Sequence, residues 1–297
     1  MSILVDRNTT VVVQGITGEQ ARFDTEWCIK YGTRIVAGVT PGRGGELVHG
    51  VPVYDTVRRA ASEHDINTSV VYVPAHAVKS AVMEAIDAGI RLILVTAEYV
   101  PQHDVIRITA AARQAGVRLV GCNTNGIISS GKSKLAGVGG IDPDEIYAAG
   151  HIGVLSRSGG MTAEISLALK DAGYGISTSI AMGGDAVTGM KMAEYVKLFQ
   201  QDPETHAIVI FGEPGTDNEQ EVAELLRSGA ITKPVAALIA GAFQERYPAG
   251  MSFGHAAAMI TTGNESASAK RAALAAAGAR IAGALEDIPA LLRRDLR

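Results

Sequence analysis

The chain has 297 residues, enough for two domains of ordinary size, and 47% are hydrophobic against 20% charged, which excludes a disordered polyampholyte. Lysine and arginine number 27 against 31 acidic residues, a net charge of −4, and neither end carries a basic run, so nucleic acid and anionic membrane are poor partners. No apolar stretch approaches about 18 residues, the opening MSILVDRNTT is not a secretory signal, and Cys28 and Cys122 have neither zinc nor disulfide spacing; this predicts a soluble, cytoplasmic protein with reduced thiols.

In chain order, short β-branched runs alternate with segments of helical period. Thr10 to Gln14, Arg34 to Val39, Ser69 to Val73, Arg91 to Val95 and Arg118 to Gly121 read as buried strands. Gln20 to Tyr31, Thr56 to His64, Ala77 to Ala88 and Asp104 to Ala115 read as the helices between them. This βαβ rhythm requires a mostly parallel, doubly wound sheet, whose ligands sit beyond the carboxyl ends of the strands. Gly126 to Gly150, with glycines, a proline and no sustained period, reads as a loop. The expected organisation is therefore an N-terminal domain over 1–126, a linker over 127–150 and a second α/β domain over 151–297. In that second half His151 to Leu155, Thr178 to Ala181, Ala207 to Phe211 and Pro234 to Ala240 read as strands. Met161 to Ala172, Gly189 to Gln200, Asn218 to Ser228 and Ser268 to Ala277 read as helices.

Glycines cluster at two of the expected strand ends. VVVQGITGEQAR puts Gly15, Thr17 and Gly18 in a strand-to-helix turn able to face an anion with backbone amides, although an ordinary turn would read the same. The full G-x-G-x-x-G is missing and the second strand supplies no acid for a ribose, so nicotinamide cofactors are disfavoured. VTPGRGGELVHG then places the lone cation Arg43 on a glycine-rich loop beside that turn, suited to a phosphate. Pro74, Thr96 and Glu98, at the ends of the third and fourth strands, can line a slot for an adenine or a pantetheine arm. GVLSRSGGMTAE forms a second amide-lined helix start at Ser158 to Gly160, and is not a serine nucleophile elbow because position 156 is serine. Of seven histidines, His255 alone sits among small residues, in FGHAAA. No metal-ligand spacing surrounds it, so no metal site is expected. A neutral imidazole is a competent nucleophile when an acceptor holds its other nitrogen, and Glu213 in FGEPG is the carboxylate suited to that role.

Taken together, QGITG, VTPGRGG, YVPA, the Asn123 loop, SRSG, GGD at Gly183 to Asp185, GEPG and GHAAA resemble the α subunit of succinyl-CoA synthetase, over nearly the whole chain. The resemblance implies a Rossmann-like CoA-binding domain followed by a flavodoxin-like ligase domain. It implies CoA contacts at Thr17, Gly18, Glu19, Gln20, Arg43, Thr96, Ala97 and Glu98, where position 43 is usually lysine. It also implies that His255 is phosphorylated, that Glu213 steadies it, and that a separate β subunit binds ATP or GTP with Mg2+ in an αβ or α2β2 assembly. The implied reaction passes phosphate from the nucleotide to His255, then to a carboxylic acid, whose acyl phosphate the CoA thiol attacks. The sequence departs from the family at the positions that would meet the acid. These are Asn123, Thr124 and Asn125 in one loop, and Ser158, Gly160 and Ala163 in the other, with Ala163 where the family has a tyrosine. An acid more polar than succinate is expected, a hydroxylated dicarboxylate or a sulfonated carboxylate. Two other readings are a CoA-binding regulatory subunit without catalysis, and handling of a larger acyl-CoA such as citryl-CoA, which would call for an added domain.

Overall fold

The computed structural model describes residues 2–293. The described residues divide into two compact units, one formed by Leu4–Pro143 with Val187–Met190, the other by residues 2–3, Asp144–Ala186 and residues 191–293.

The N-terminal unit runs β1 (Thr10–Gln14), α1 (Glu19–Lys30), β2 (Arg34–Val39), β3 (Leu47–Val48), β4 (Val51–Tyr54), α2 (Val57–Glu63) and β5 (Thr68–Val71). It continues with α3 (Val78–Asp87), β6 (Leu92–Val95), α4 (Gln102–Gln114), β7 (Arg118–Val120), β8 (Gly126–Ser129) and β9 (Ser133–Leu135). Strands β4, β2, β1, β5, β6 and β7 lie side by side and parallel. Numbered among themselves, that order is 3-2-1-4-5-6, the Rossmann arrangement, with its switch point between β1 and β5. The β-branched runs explain the centre of the sheet. Every residue of TVVVQ in β1 and of LILV in β6 is buried, as a parallel strand covered on both faces requires. The apolar stripes of α3 and α4, including Val78, Val82, Val105 and Ile108, close one core against Val12, Val71 and Ile93.

The C-terminal unit runs β10 (Ala149–Ser156), α5 (Gly159–Asp171), β11 (Ile176–Ala181), α6 (Met192–Gln201), β12 (Ala207–Gly212), α7 (Asn218–Arg227), β13 (Val235–Ile239), α8 (Ala267–Ala276), β14 (Arg280–Ala282) and α9 (Ile288–Leu292). Its five strands are parallel in the order β11, β10, β12, β13, β14. This is the flavodoxin-like order 2-1-3-4-5, with the switch point between β10 and β12. Both halves thus have the fold class expected of them.

The structure corrects three readings. Gly126 to Gly150 is not a plain loop, because β8 and β9 form an antiparallel hairpin whose turn, Ser130 to Lys132, has Gly131 at φ 70°. That is a three-residue turn with a left-handed glycine, hidden in the sequence by short, polar strands. Leu47 to Tyr54 is a second hairpin, β3 against β4, with His49 and Gly50 both at positive φ as a two-residue hairpin turn demands. Helix α6 starts at Met192 rather than Gly189, since Gly189 and Met190 donate backbone hydrogen bonds to Gly121 and Leu119 beside β7 and the Glu194 carboxylate accepts the Lys191 amide (2.8 Å). No helix of the described residues is long and apolar enough to cross a membrane.

Candidate active site

In the N-terminal unit the expected CoA residues gather beyond the carboxyl ends of the parallel strands. Gly15 follows β1 at φ 79°, and a Cβ there would stand 3.2 Å from the Tyr72 carbonyl carbon after β5, so only glycine lets the turn cross the switch point at this distance. Thr17 Oγ1 donates to Thr40 Oγ1 (3.1 Å), which ties this turn to the end of β2. Gly18 is the extended N-cap of α1, and Glu19 and Gln20 are its first, exposed residues. The turn therefore presents the amide end of a 12-residue helix, which carries partial positive charge and suits a phosphate. Gln20 already spends one amide hydrogen on Asp24 (3.1 Å).

Arg43 lies on the loop after β2. Its guanidinium forks onto Glu46, and that contact raises its already high pKa. Both partners face solvent, and an exposed pair of this kind holds weakly enough for a phosphate to displace it. Asp55, which carried no clear signal in the sequence, organises the loop by accepting the Gly42 and Gly44 amides (2.8 and 3.1 Å). Pro74 opens a short turn after β5, Thr96 Oγ1 donates to the Val71 carbonyl (3.0 Å), Ala97 accepts the Asn123 amide (3.0 Å), and Glu98 is exposed. Of the loop after β7, Asn125 is exposed. Thr124 is buried, with its hydroxyl accepting the Gly126 amide (3.0 Å), so Thr124 shapes the loop, while the Asn125 side-chain oxygen lies beside Gly137, 3.1 Å from where a Cβ there would stand.

In the C-terminal unit the second set gathers at the β10–β12 switch point. Glu213 follows β12, and both of its carboxylate oxygens accept from His255 Nδ1 (2.8 and 2.9 Å). The His255 side chain is 35% exposed and that of Glu213 only 10%, so the ring is reachable while its anchor is shielded. The hydrogen bond to Glu213 raises the imidazole pKa, against burial and the nearby Arg157 charge; the Glu213 and Asp185 charges add to the rise. The ring lies flat on backbone: a Cβ at Gly184 would meet His255 Cγ at 2.5 Å. Ser158 caps α5, its Oγ accepting the Met161 amide (3.4 Å), so the helix start faces this strand end with its amides. Gly160 and Ala163 lie in the first turns of α5, Gly160 exposed and Ala163 half-buried.

Three side chains there were not singled out from the sequence. Arg157 is 1% exposed and reaches Thr216 Oγ1 (2.8 Å) and the Asp185 carbonyl (3.2 Å). Lys270 and Glu219 form a fully buried ion pair behind Glu213. Their signal was a charge on an otherwise apolar stripe: Lys270 stands between Ala267 and Leu274 on α8, and Glu219 beside Val222 and Ala223 on α7. A separate cavity of about 590 Å³, lined by Glu164, Asp171, Tyr174 and Glu286 among others, contains none of the His255 site residues. Among the described residues no cluster of three or more histidine, cysteine, aspartate or glutamate side chains is placed to hold a metal.

A Rossmann-ordered unit whose glycine turn presents the amides of a helix start, joined in one chain to a flavodoxin-like unit with a carboxylate-held histidine, is the arrangement expected of a CoA-ligase chain. Two family models match: a CoA binding domain over residues 6–99 and a CoA-ligase domain over 155–280. The succinate–CoA ligase [ADP-forming] subunit alpha 1 of Archaeoglobus fulgidus is 43% identical over 296 residues, covering 100% of this chain and 99% of that one. An ADP-forming sulfoacetate-CoA ligase subunit of Bilophila wadsworthia is 41% identical, covering 99% of both. The ATP citrate lyase of Methanothrix soehngenii, solved with citrate and coenzyme A, superposes with a TM-score of 0.90 at 27% identity. It covers 99% of this chain, which spans only 50% of the lyase chain. The chain belongs to the family of ADP-forming CoA-ligase α subunits.

Proposed function

We propose that this chain is the phosphoryl-carrying subunit of an ADP-forming acid–CoA ligase and that His255 is the carrier. The observation that carries the reading is the accessible His255 ring held through Nδ1 by the shielded Glu213 carboxylate. With Nδ1–H donated to Glu213, the lone pair that attacks is on Nε2. Attack on the terminal phosphoryl group of ATP or GTP forms the N–P bond and releases the nucleoside diphosphate. A carboxylate oxygen of the acid then takes the phosphoryl group, which restores the ring and leaves an acyl phosphate. The CoA thiol, losing its proton, attacks the acyl carbon and phosphate departs. The amides at the start of α5 and the buried Arg157 guanidinium supply fixed positive charge on the histidine side of this transfer.

The residues present fit CoA: the Gly15 to Gly18 turn leaves the α1 amides bare of side chains, and Arg43 stands on the neighbouring loop. Thr17, Gly18, Glu19, Gln20, Arg43, Pro74, Thr96, Ala97 and Glu98 would hold it, and CoA would supply the attacking thiol. A partner β subunit would hold the nucleotide and its Mg2+, in an αβ or α2β2 complex in the cytoplasm. The non-catalytic reading is set aside, because the CoA-ligase model spans the whole His255 site and the similar curated relatives are ligase subunits.

The acid we propose is a short carboxylate with a second polar or anionic group, of the hydroxylated or sulfonated kind. Ala163 is a small side chain in the first turns of α5, Asn125 is an exposed amide residue, and two relatives at 41–42% identity are named for sulfoacetate. Asn123, Ser158 and Gly160 complete the set, with Thr124 fixing the Asn125 loop. Screening the complex with its partner subunit against a panel of small carboxylates, by loss of CoA thiol, tests this. A sulfonated or hydroxylated acid should exceed succinate in kcat/KM. Preference for succinate over all of them would overturn the assignment of the acid.

A further inference from the structure

Glu213 is held by more than its carboxylate. Lys270 Nζ donates to the carbonyls of Glu213 (2.7 Å) and Gly215 (2.5 Å) and to the Glu219 carboxylate. Glu219 Oε1 in turn accepts the Glu213 amide (3.3 Å). Both backbone polar groups of Glu213 therefore end on one ion pair, formed between α7 and α8, and neither partner is exposed to solvent. The strand end is shaped around this pair. A Cβ at Gly212 would lie 2.2 Å from Glu219 Oε1, so glycine there makes the space that the carboxylate fills. Such a pair costs desolvation and is a weak route to stability, since apolar side chains of similar volume often do as well.

We infer that Lys270 and Glu219 are positioning residues, a buried clamp that sets the direction of the Glu213 carboxylate and, through it, the orientation and tautomer of the His255 ring. The inference rests on the reading of His255 as the phosphoryl carrier. A histidine that must present Nε2 at one angle needs its acceptor fixed, as outer partners fix metal-bound histidines. The clamp does this from the backbone, leaving both Glu213 oxygens for Nδ1. The charged groups facing the imidazole are Glu213, Arg157 and Asp185. Those facing the Lys270 ammonium are Glu219, Arg157, Glu213 and Glu265. Burial pulls the Lys270 pKa down, and the Glu219 carboxylate opposes that pull.

The test measures the rate of His255 phosphorylation against pH in the complex with its partner subunit, for the wild type, Glu219→Asp and the double variant Glu219→Leu/Lys270→Met. Glu219→Asp keeps the charge but shortens the reach to the Glu213 amide. The double variant leaves no uncompensated charge, so it is the one expected to fold if a single change does not. In both, phosphorylation should slow on the order of 10-fold or more, as loss of an outer partner does elsewhere. The midpoint of the pH profile should fall toward the free-imidazole value of about 6.5. CoA affinity, read by calorimetry, should stay within about twofold of wild type. A folded double variant with the wild-type rate and midpoint would overturn the clamp. A wild-type complex that carries no phosphate on His255 would instead overturn the underlying reading, so the two failures are distinguishable.

Discussion

At the residue scale the site turns on one hydrogen bond. Glu213 holds the His255 pKa above its ordinary value, so the protonated ring, which has no lone pair on Nε2, persists to higher pH than it would alone. Phosphorylation should therefore rise with pH through a midpoint above about 6.5. Glu213→Gln, measured by single-turnover labelling, should shift that midpoint downward and slow transfer at every pH, because the amide offers a weaker acceptor. The stability linkage has the opposite direction. A raised folded-state pKa stabilises the fold fully below the unfolded value and is lost as pH rises through the folded one. Denaturation midpoints should accordingly show Glu213→Gln costing most on the acid side. Gly184→Ala is a second probe: its Cβ would press on His255 Cγ, so phosphorylation should fall while CoA binding persists. An unchanged labelling rate in that variant would mean that the ring does not pack as described. Cys28 behaves differently, since burial pushes its thiol up to about 12, which makes it a core side chain rather than a reactive group.

At the element scale, what was legible in the sequence was periodic. The strands Thr10–Gln14 and Arg34–Val39 are where their β-branched runs place them, and α4 and α8 end at Gln114 and Ala276, just ahead of Gly116 and Gly278. The hairpins were missed for opposite reasons. Leu47 to Gly50 lies inside a glycine-rich run, and Ser133–Leu135 is three residues long with a buried lysine in its middle. Two or three residues of turn chemistry outweigh propensity in segments this short. The site divided in the same way. His255 and Glu213 were readable because their small-residue surroundings are local, whereas Glu219 and Lys270 act through contacts 51 residues apart in the chain. Their stability effect is predictable nonetheless. Lys270→Met alone strands a buried carboxylate, and urea denaturation should show a loss of about 3–5 kcal/mol. A loss well under 1 kcal/mol would mean that water reaches the pair.

At the scale of the whole molecule, two switch points do separate work. The β1–β5 point carries the glycine turn and the helix amides suited to CoA, and the β10–β12 point carries the histidine, its carboxylate and the second helix start. On the proposed function, one chain combines a site for the thiol with a carrier of phosphate. The central claim is that the second carrier is His255. The most direct measurement is to incubate the chain and its partner subunit with ATP labelled in the γ-phosphoryl group, and to locate the label by mass spectrometry before and after adding acid and CoA. A phosphoryl-carrying His255 predicts an acid-labile phosphoryl group on that ring, discharged when both co-substrates are present, and neither label nor turnover in His255→Ala. Undiminished CoA-thioester formation by that variant would contradict it.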